Sequence, residues 1–100
     1  MQLNISALHG DISEATRAKI AQKLEKIQRF FERLTAIEAT VDLSKSDEPE
    51  ISVVVKCEHK HDISASHRSK DMFGSVDQVV AKLEQQVKKH KEKLQEHNKN

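Results

Sequence analysis

The stretch KLEQQVKKHKEKL, residues 82–94, packs five lysines into thirteen positions of a chain whose formal net charge is only +1. Lysine ammoniums at that density can neutralise phosphates and displace their counterions. They can equally coat a solvated helix face, where a pair such as Glu84–Lys88 adds about a few tenths of a kcal/mol. A second basic run is found in residues 13–34, where Arg17, Lys19, Lys23, Lys26, Arg29 and Arg33 face three acids. Residues 35–70 carry seven acids and five basic residues. Positive charge is thus segregated into two segments, and segregation creates a directional field.

Other chemistry is sparse. His59 and His61 share strand parity with Cys57, but Cys-x-His-x-His along one strand is not a familiar zinc pattern, and no metal site is expected. Cys57 is the single cysteine, which excludes a disulfide within the chain and reads as a small strand or core residue in a reducing compartment. Ser, His and Asp occur without a nucleophile elbow, a glycine-rich loop or an H-E-x-x-H motif, and Gly10 and Gly74 are isolated. Neither an enzyme nor a cofactor is expected. Three Phe and no Tyr or Trp disfavour base-stacking platforms, so the lysines point to duplex or folded RNA rather than a splayed strand. The start MQLNISALHG lacks the layout of a signal peptide. No apolar run approaches the roughly 18 residues of a membrane span, so a cytosolic protein without membrane contact is expected.

One hundred residues, 36% of them apolar and 33% charged, suit a single globular domain with a modest core. MQLNISAL alternates as a half-buried strand. Asp11 or Ser13 can cap the following helix, predicted from about Ser13 to Leu34 on the apolar stripe Ile20, Leu24, Ile27, Phe31 and Leu34. TAIEATVDLSK alternates again, SDEPE forms a turn, ISVVVKC is a third strand and DISASH a short fourth. Asp71 opens a second helix whose stripe is Met72, Val76, Val79, Val80, Leu83, Val87 and Leu94, with His90 beside it. Residues 1–95 are read as one domain and 96–100 as a short polar tail. The order β-α-β-β-β-α gives an α+β two-layer sandwich, two helices on one face of a four-stranded, mostly antiparallel sheet.

These elements place the cations. Lys19, Lys23, Lys26 and Arg33 each precede a member of the first stripe, forming a ridge about 100° round from it, with Arg29 alongside. Lys82, Lys89 and Lys93 form a similar ridge on the second helix, Gln86 completing the row, while Lys88 and Lys91 lie on the other flank. Asp71 reads as a helix cap. Met72 and Phe73 read as packing. Phe31 belongs to the stripe and Phe30 lies off it.

The segment DISASHRSKDMFGSVDQVVAKLEQQVKKHKEKL resembles the C-terminal half of the ribosome hibernation-promoting factors and the related ribosome-associated inhibitors. The shared pattern comprises Ile63 and Ala65, Asp71-Met72-Phe73, Asp77, Lys82-Leu83, Gln86, and then Lys89, Lys91 and Lys93. ISEATRAKIAQKLEKIQRFF is similar to the family's first helix, with Arg17, Lys23, Lys26 and Phe30-Phe31 in register. The resemblance implies the β-α-β-β-β-α fold and a non-enzymatic protein that binds 16S rRNA in the small-subunit channel for mRNA and tRNA. There it would block translation during stationary phase or stress. It assigns rRNA contact to Arg17, Lys23, Lys26, Lys82, Lys89 and Lys93, with Lys19, Arg29, Arg33, Lys88 and Lys91 as helpers. Partners implied are the small subunit within whole ribosomes and a separate ribosome modulation factor for ribosome pairing, with no DNA. His67-Arg68 departs from the Ala-Glu common in relatives, and the short tail fits the short hibernation-promoting branch better than the inhibitor branch.

Three other readings remain beside it. An inhibitor would silence single ribosomes without pairing them. A general double-stranded-RNA module would follow an α-β-β-β-α order, which the N-terminal strand opposes. A protein-interaction domain would use the second helix as a partner helix.

Overall fold

The structure is a computed structural model describing residues 1–31, 33–58 and 61–98, with side chains through residue 89. β1 (Gln2–Leu8) shows the alternation expected of it, Leu3, Ile5 and Ala7 being the half-buried positions. Ser13 then caps α1 (Glu14–Leu24), its Oγ accepting from the Thr16 N–H at 3.0 Å. Of the two candidate caps, Ser13 is therefore the one used, and Glu14 sits in the first turn at the positive end of the dipole.

The first helix is shorter than its stripe implies. After Leu24 the chain tightens into a 3-10 turn over Glu25–Arg29, and β2 (Leu34–Asp42) begins where the helix was expected to end. Ile20, Leu24 and Ile27 are fully buried, whereas Phe31 and Leu34 pack on the same core from the linker and the new strand. Spacing alone could not separate these cases, because a linker residue can cover the same core as a helical one. Arg33 makes the exit in the left-handed region at φ 56°. Its carbonyl accepts from the Glu58 N–H at 3.0 Å, and Leu34 pairs with Cys57. Thr35 is the extra residue of a register shift between Leu34 and Ala36, and its hydroxyl donates to the Lys56 carbonyl at 3.0 Å.

β3 (Glu50–Cys57) and β4 (Ile63–Arg68) complete a sheet of order β1-β2-β3-β4. β2–β3 and β3–β4 are antiparallel; β1–β2 is parallel, as a crossover through a helix demands. Three rows cross the covered face: Leu3–Ile37–Val55–Ile63, Ile5–Ala39–Val53–Ala65 and Ala7–Val41–Ile51–His67. Onto them pack Ile20, Leu24 and Ile27 from the first helical segment, and Val76, Val79 and Leu83 from α2 (Met72–Asn98). Truncating Leu24 or Leu83, both fully buried, to Ala costs about 2–5 kcal/mol in such a core.

The α+β two-layer sandwich is thus the architecture observed. Its open face carries small polar residues, including the row Ser6–Thr40–Ser52–Ser66. Asp71 caps α2 through its carboxylate, which accepts from the Gly74 N–H at 3.0 Å. The helix then continues to Asn98, into the segment expected to be a tail, because neither Gly nor Pro occurs after Gly74 to stop it.

Candidate nucleic-acid interface

Both helices run the same way across the sheet. Lys19 sits over the Phe73 ring, its ammonium 4.2 Å from the centroid, and one turn later Lys23 Nζ reaches both Asp77 carboxylate oxygens at 3.0 Å. Rising numbers match rising numbers, so α1 and α2 are parallel, and the last turn of α1 lies beside the second turn of the longer α2. Lys23 in the last turn of α1, and Lys26 and Arg29 in the turn that follows, put cations where the α1 dipole favours them.

The two lysine rows do not share a flank. The α1 row (Lys19, Lys23) lies along the seam with α2. The α2 row lies on the far side, where Lys82 Nζ donates to the Ser66 carbonyl at 2.7 Å and Gln86 Nε2 to the Ser64 carbonyl at 2.9 Å. One helix diameter, about 10–12 Å, separates the rows. β4 is an edge strand, so Lys82 and Gln86 satisfy carbonyls that the sheet leaves open. Arg17 does the same at the opposite edge, its guanidinium donating to the Ile5 carbonyl of β1.

The basic residues singled out by sequence therefore fall into groups. Arg17 and Lys82 are tied to edge-strand backbone, Lys23 to Asp77 and Lys19 to an aromatic face. Lys88 pairs loosely with Glu84 at 3.6 Å, as the i,i+4 spacing predicts. The side chains of Lys26, Arg29, Arg33 and Lys89 have no hydrogen bond or ion pair to another described residue. Arg33 departs from its expected ridge, since the helix has ended and its exposed side chain leaves from the left-handed turn. Lys91 and Lys93 extend the helix, but their side chains lie outside the described residues, as do those of His90 and Leu94.

Lys19, Lys23, Lys26 and Arg29 line an open groove of about 800 Å³, with Gln22 and Gln28 between them and Glu25 as the one acid. A second groove of about 320 Å³ runs beside β4 between Ser64, Ser66, Lys82, Gln85, Gln86 and Lys89. Cations, amides and hydroxyls along two open grooves can hold a phosphate backbone and its sugar hydroxyls. Sequence reasoning missed Asp77 and Phe73 as partners of α1, and it placed Gln86 in the lysine row without its partner on β4. The i,i+4 spacing shared by Lys19–Lys23 and Phe73–Asp77 is the signal that could have paired them.

Elsewhere the chemistry is structural. Phe30 and Phe31 are half-buried, their rings 5.4 Å apart and tilted by 41°. His67 lies on the covered face, and Arg68 on the open face approaches Glu50 at 3.9 Å. Asp42 accepts from the Ser44 N–H at 2.9 Å. The Ser44 backbone and hydroxyl, with smaller help from His9 and Arg68, hold its carboxyl below the ordinary aspartate value despite a small opposing desolvation. No group of three or more His, Cys, Asp or Glu among the described residues is arranged to hold a metal ion, and His59 lies outside them. Among the described residues, no helix is long and apolar enough to cross a membrane.

The model of the family described as Sigma 54 modulation protein / S30EA ribosomal protein matches residues 3–95. The chain belongs to this family. It is 32% identical over 97 residues to the ribosome hibernation promoting factor of Salmonella typhimurium, covering 97% of this chain and 100% of that protein. The Escherichia coli protein of the same name is 30% identical over 99 residues, with coverage of 97% and 100%. Among solved structures, a ribosomal subunit interface protein from Coxiella burnetii superposes with a TM-score of 0.78 at 28% identity, over 91% of this chain and 98% of that one. The N-terminal domain of Thermus thermophilus Protein Y shares the fold, with a TM-score of 0.74 at 18% identity over 90% and 99% of the two chains.

Proposed function

We propose that this protein is a ribosome hibernation factor that binds 16S rRNA in the mRNA and tRNA channel of the small subunit. The observation that carries the reading is the cationic groove of the helical layer, where Lys26 and Arg29 are uncommitted among the described residues and Lys89 stands at the second groove. A compact wedge whose cations sit on one layer suits a crevice walled by phosphates. Near-complete coverage of relatives named ribosome hibernation promoting factor supports the same biology. Occupancy of the channel excludes mRNA and tRNA, so translation stops while ribosomes are stored during stationary phase or stress. No reaction is involved, and the protein acts in the cytoplasm on whole ribosomes. Pairing of ribosomes is carried out with a separate modulation factor.

Co-sedimentation with purified small subunits, large subunits and whole ribosomes across a salt series tests the reading. Selective, salt-sensitive binding to small subunits and whole ribosomes is the expected result. Equal binding to every RNA would reduce the groove to a generic cationic surface, and absence of binding at low salt would remove the reading.

A further inference from the structure

β4 is an edge strand, and its free edge is chemically one-sided. In an antiparallel ladder the N–H and C=O of one residue point the same way, alternately toward the neighbouring strand and away from it. Lys82 and Gln86 reach the Ser66 and Ser64 carbonyls from outside the sheet, so the N–H groups of these two residues face outward as well. Ala65 between them faces β3, opposite Val53. An ordinary free edge offers donors and acceptors in turn, which is what another strand pairs with. Here α2 has taken both acceptors, and the two N–H groups are left. Both serines are exposed. The groove that they line with Lys82, Gln85, Gln86 and Lys89 contains no carboxylate, whereas the groove of α1 contains Glu25.

We propose that the Ser64–Ser66 edge of β4 is a phosphate-binding subsite, in which the two main-chain N–H groups donate to oxygens of an RNA backbone and Lys89 supplies the charge. The inference rests on the RNA-binding reading above and deepens it by adding main-chain donors to the lysine contacts. A sheet edge that presents N–H groups is an anion-binding surface. The two groups are about 6.7 Å apart, two strand steps, close to the separation of neighbouring phosphates along a nucleic-acid strand. A protein strand is the poorer occupant, because its own N–H groups find no open carbonyl at either residue. An RNA backbone leaves both α2-to-β4 hydrogen bonds made, so neither has to be displaced. Lys82 and Gln86 act as positioning residues here: they close the two carbonyls whose oxygens would repel a phosphate.

Amide hydrogen exchange of wild type, free and bound to small ribosomal subunits, reads these groups directly when exchange is quenched and the protein is released for residue-level measurement. The Ser64 and Ser66 N–H groups should exchange quickly in the free protein and about tenfold more slowly in the complex. Ala65, paired with β3, should be slow in both. Ser66→Pro removes one donor at an edge position, where proline is tolerated. It should weaken small-subunit binding about three- to tenfold with an unchanged salt slope, because the lost donor carries no charge; thermal unfolding checks that the variant is folded. Unchanged exchange at Ser64 and Ser66 in the complex overturns the inference, as does a folded Ser66→Pro variant that binds as tightly as wild type. A salt slope that falls in Ser66→Pro would overturn it too, by showing that a lysine had moved. Protection that appears in the free protein and grows with its concentration would assign the edge to a second copy of the chain. All four results leave the RNA-binding reading standing, whereas wild type that fails to bind small subunits removes that reading and this inference with it.

Discussion

Lys82 Nζ donates to the Ser66 carbonyl across 2.7 Å, so a lysine that the family resemblance assigns to rRNA also closes an edge of the sheet. Gln86 and Arg17 do the same for Ser64 and Ile5. Open carbonyls on an edge strand are a template for another strand, and long cationic side chains are one of the means of blocking it. Lys82→Met with Gln86→Leu keeps much of the side-chain bulk and removes both donors. The expected outcome is a loss of about 1–2 kcal/mol, since hydrogen bonds of this kind contribute about 0.5–3 kcal/mol each, together with concentration-dependent self-association. Denaturant unfolding and light scattering after gel filtration check it; an equally stable monomer would show that the plugs do not matter.

Cations that are already partnered must give something up to bind phosphate, and unpartnered ones need not. Lys26→Gln, Arg29→Gln and Lys89→Gln should therefore each weaken small-subunit binding and lower its salt slope by about 0.9, without loss of stability. Arg17→Gln should lower stability as well as binding, because it also leaves the Ile5 carbonyl open. Fluorescence titration across a salt series, paired with thermal unfolding, separates the two groups. Equal behaviour of all four variants would contradict the division.

Legibility in the sequence follows the range of the interactions concerned. Alternation in Leu3–Ile5–Ala7 marked the first strand and its covered face, because a period of two has one reading, whereas Val54 between Val53 and Val55 left the face of the third strand open. Asp71 announced its helix because a cap acts within three residues. The end of α1 was hidden, since Phe31 and Leu34 continue a 3–4 spacing while packing from a linker and a strand. The cationic layer was legible as charge, but the partners of its members were not. Ser66, Asp77 and Ile5 lie between 12 and 54 residues from the side chains they meet, and only the assembled sheet brings them together. The expected α1 ridge survives in Lys19, Lys23 and Lys26, which share one groove, but not in Arg33, which leaves from the left-handed turn beyond the helix.

Asp42 makes stability depend on pH in a determined direction. Its carboxyl is held below the ordinary value chiefly by the Ser44 N–H and hydroxyl. The folded pKa is below the unfolded one, so the contribution is complete above the unfolded value and is lost as pH falls through the folded value. Stability should fall in that acidic window, and Asp42→Asn should remove this part of the fall while leaving stability near neutral pH lower than wild type. Thermal unfolding from pH 2 to 7 tests it; identical pH profiles for the two proteins would exclude the contribution.

The start of α2 concentrates its polar contacts on three side chains. The Asp71 carboxylate accepts from the Gly74 N–H, its carbonyl accepts from the Ser75 N–H at 2.9 Å, and the Ser69 and Ser75 hydroxyls lie 2.6 Å apart. Ser75 is fully buried, so its hydroxyl depends on Ser69. Asp71→Ala should cost about 1 kcal/mol, the usual value of a lost cap. Ser69→Ala should cost about 1–3 kcal/mol by stranding a buried hydroxyl, and adding Ser75→Ala should recover part of that, because removing both partners leaves nothing unpaired. Because Phe73 and Asp77 lie within two turns of this cap, Asp71→Ala should also loosen the contacts with Lys19 and Lys23. A double-mutant cycle between Asp71→Ala and Lys23→Gln measures that coupling, and strict additivity would show that the cap and the cationic layer are independent.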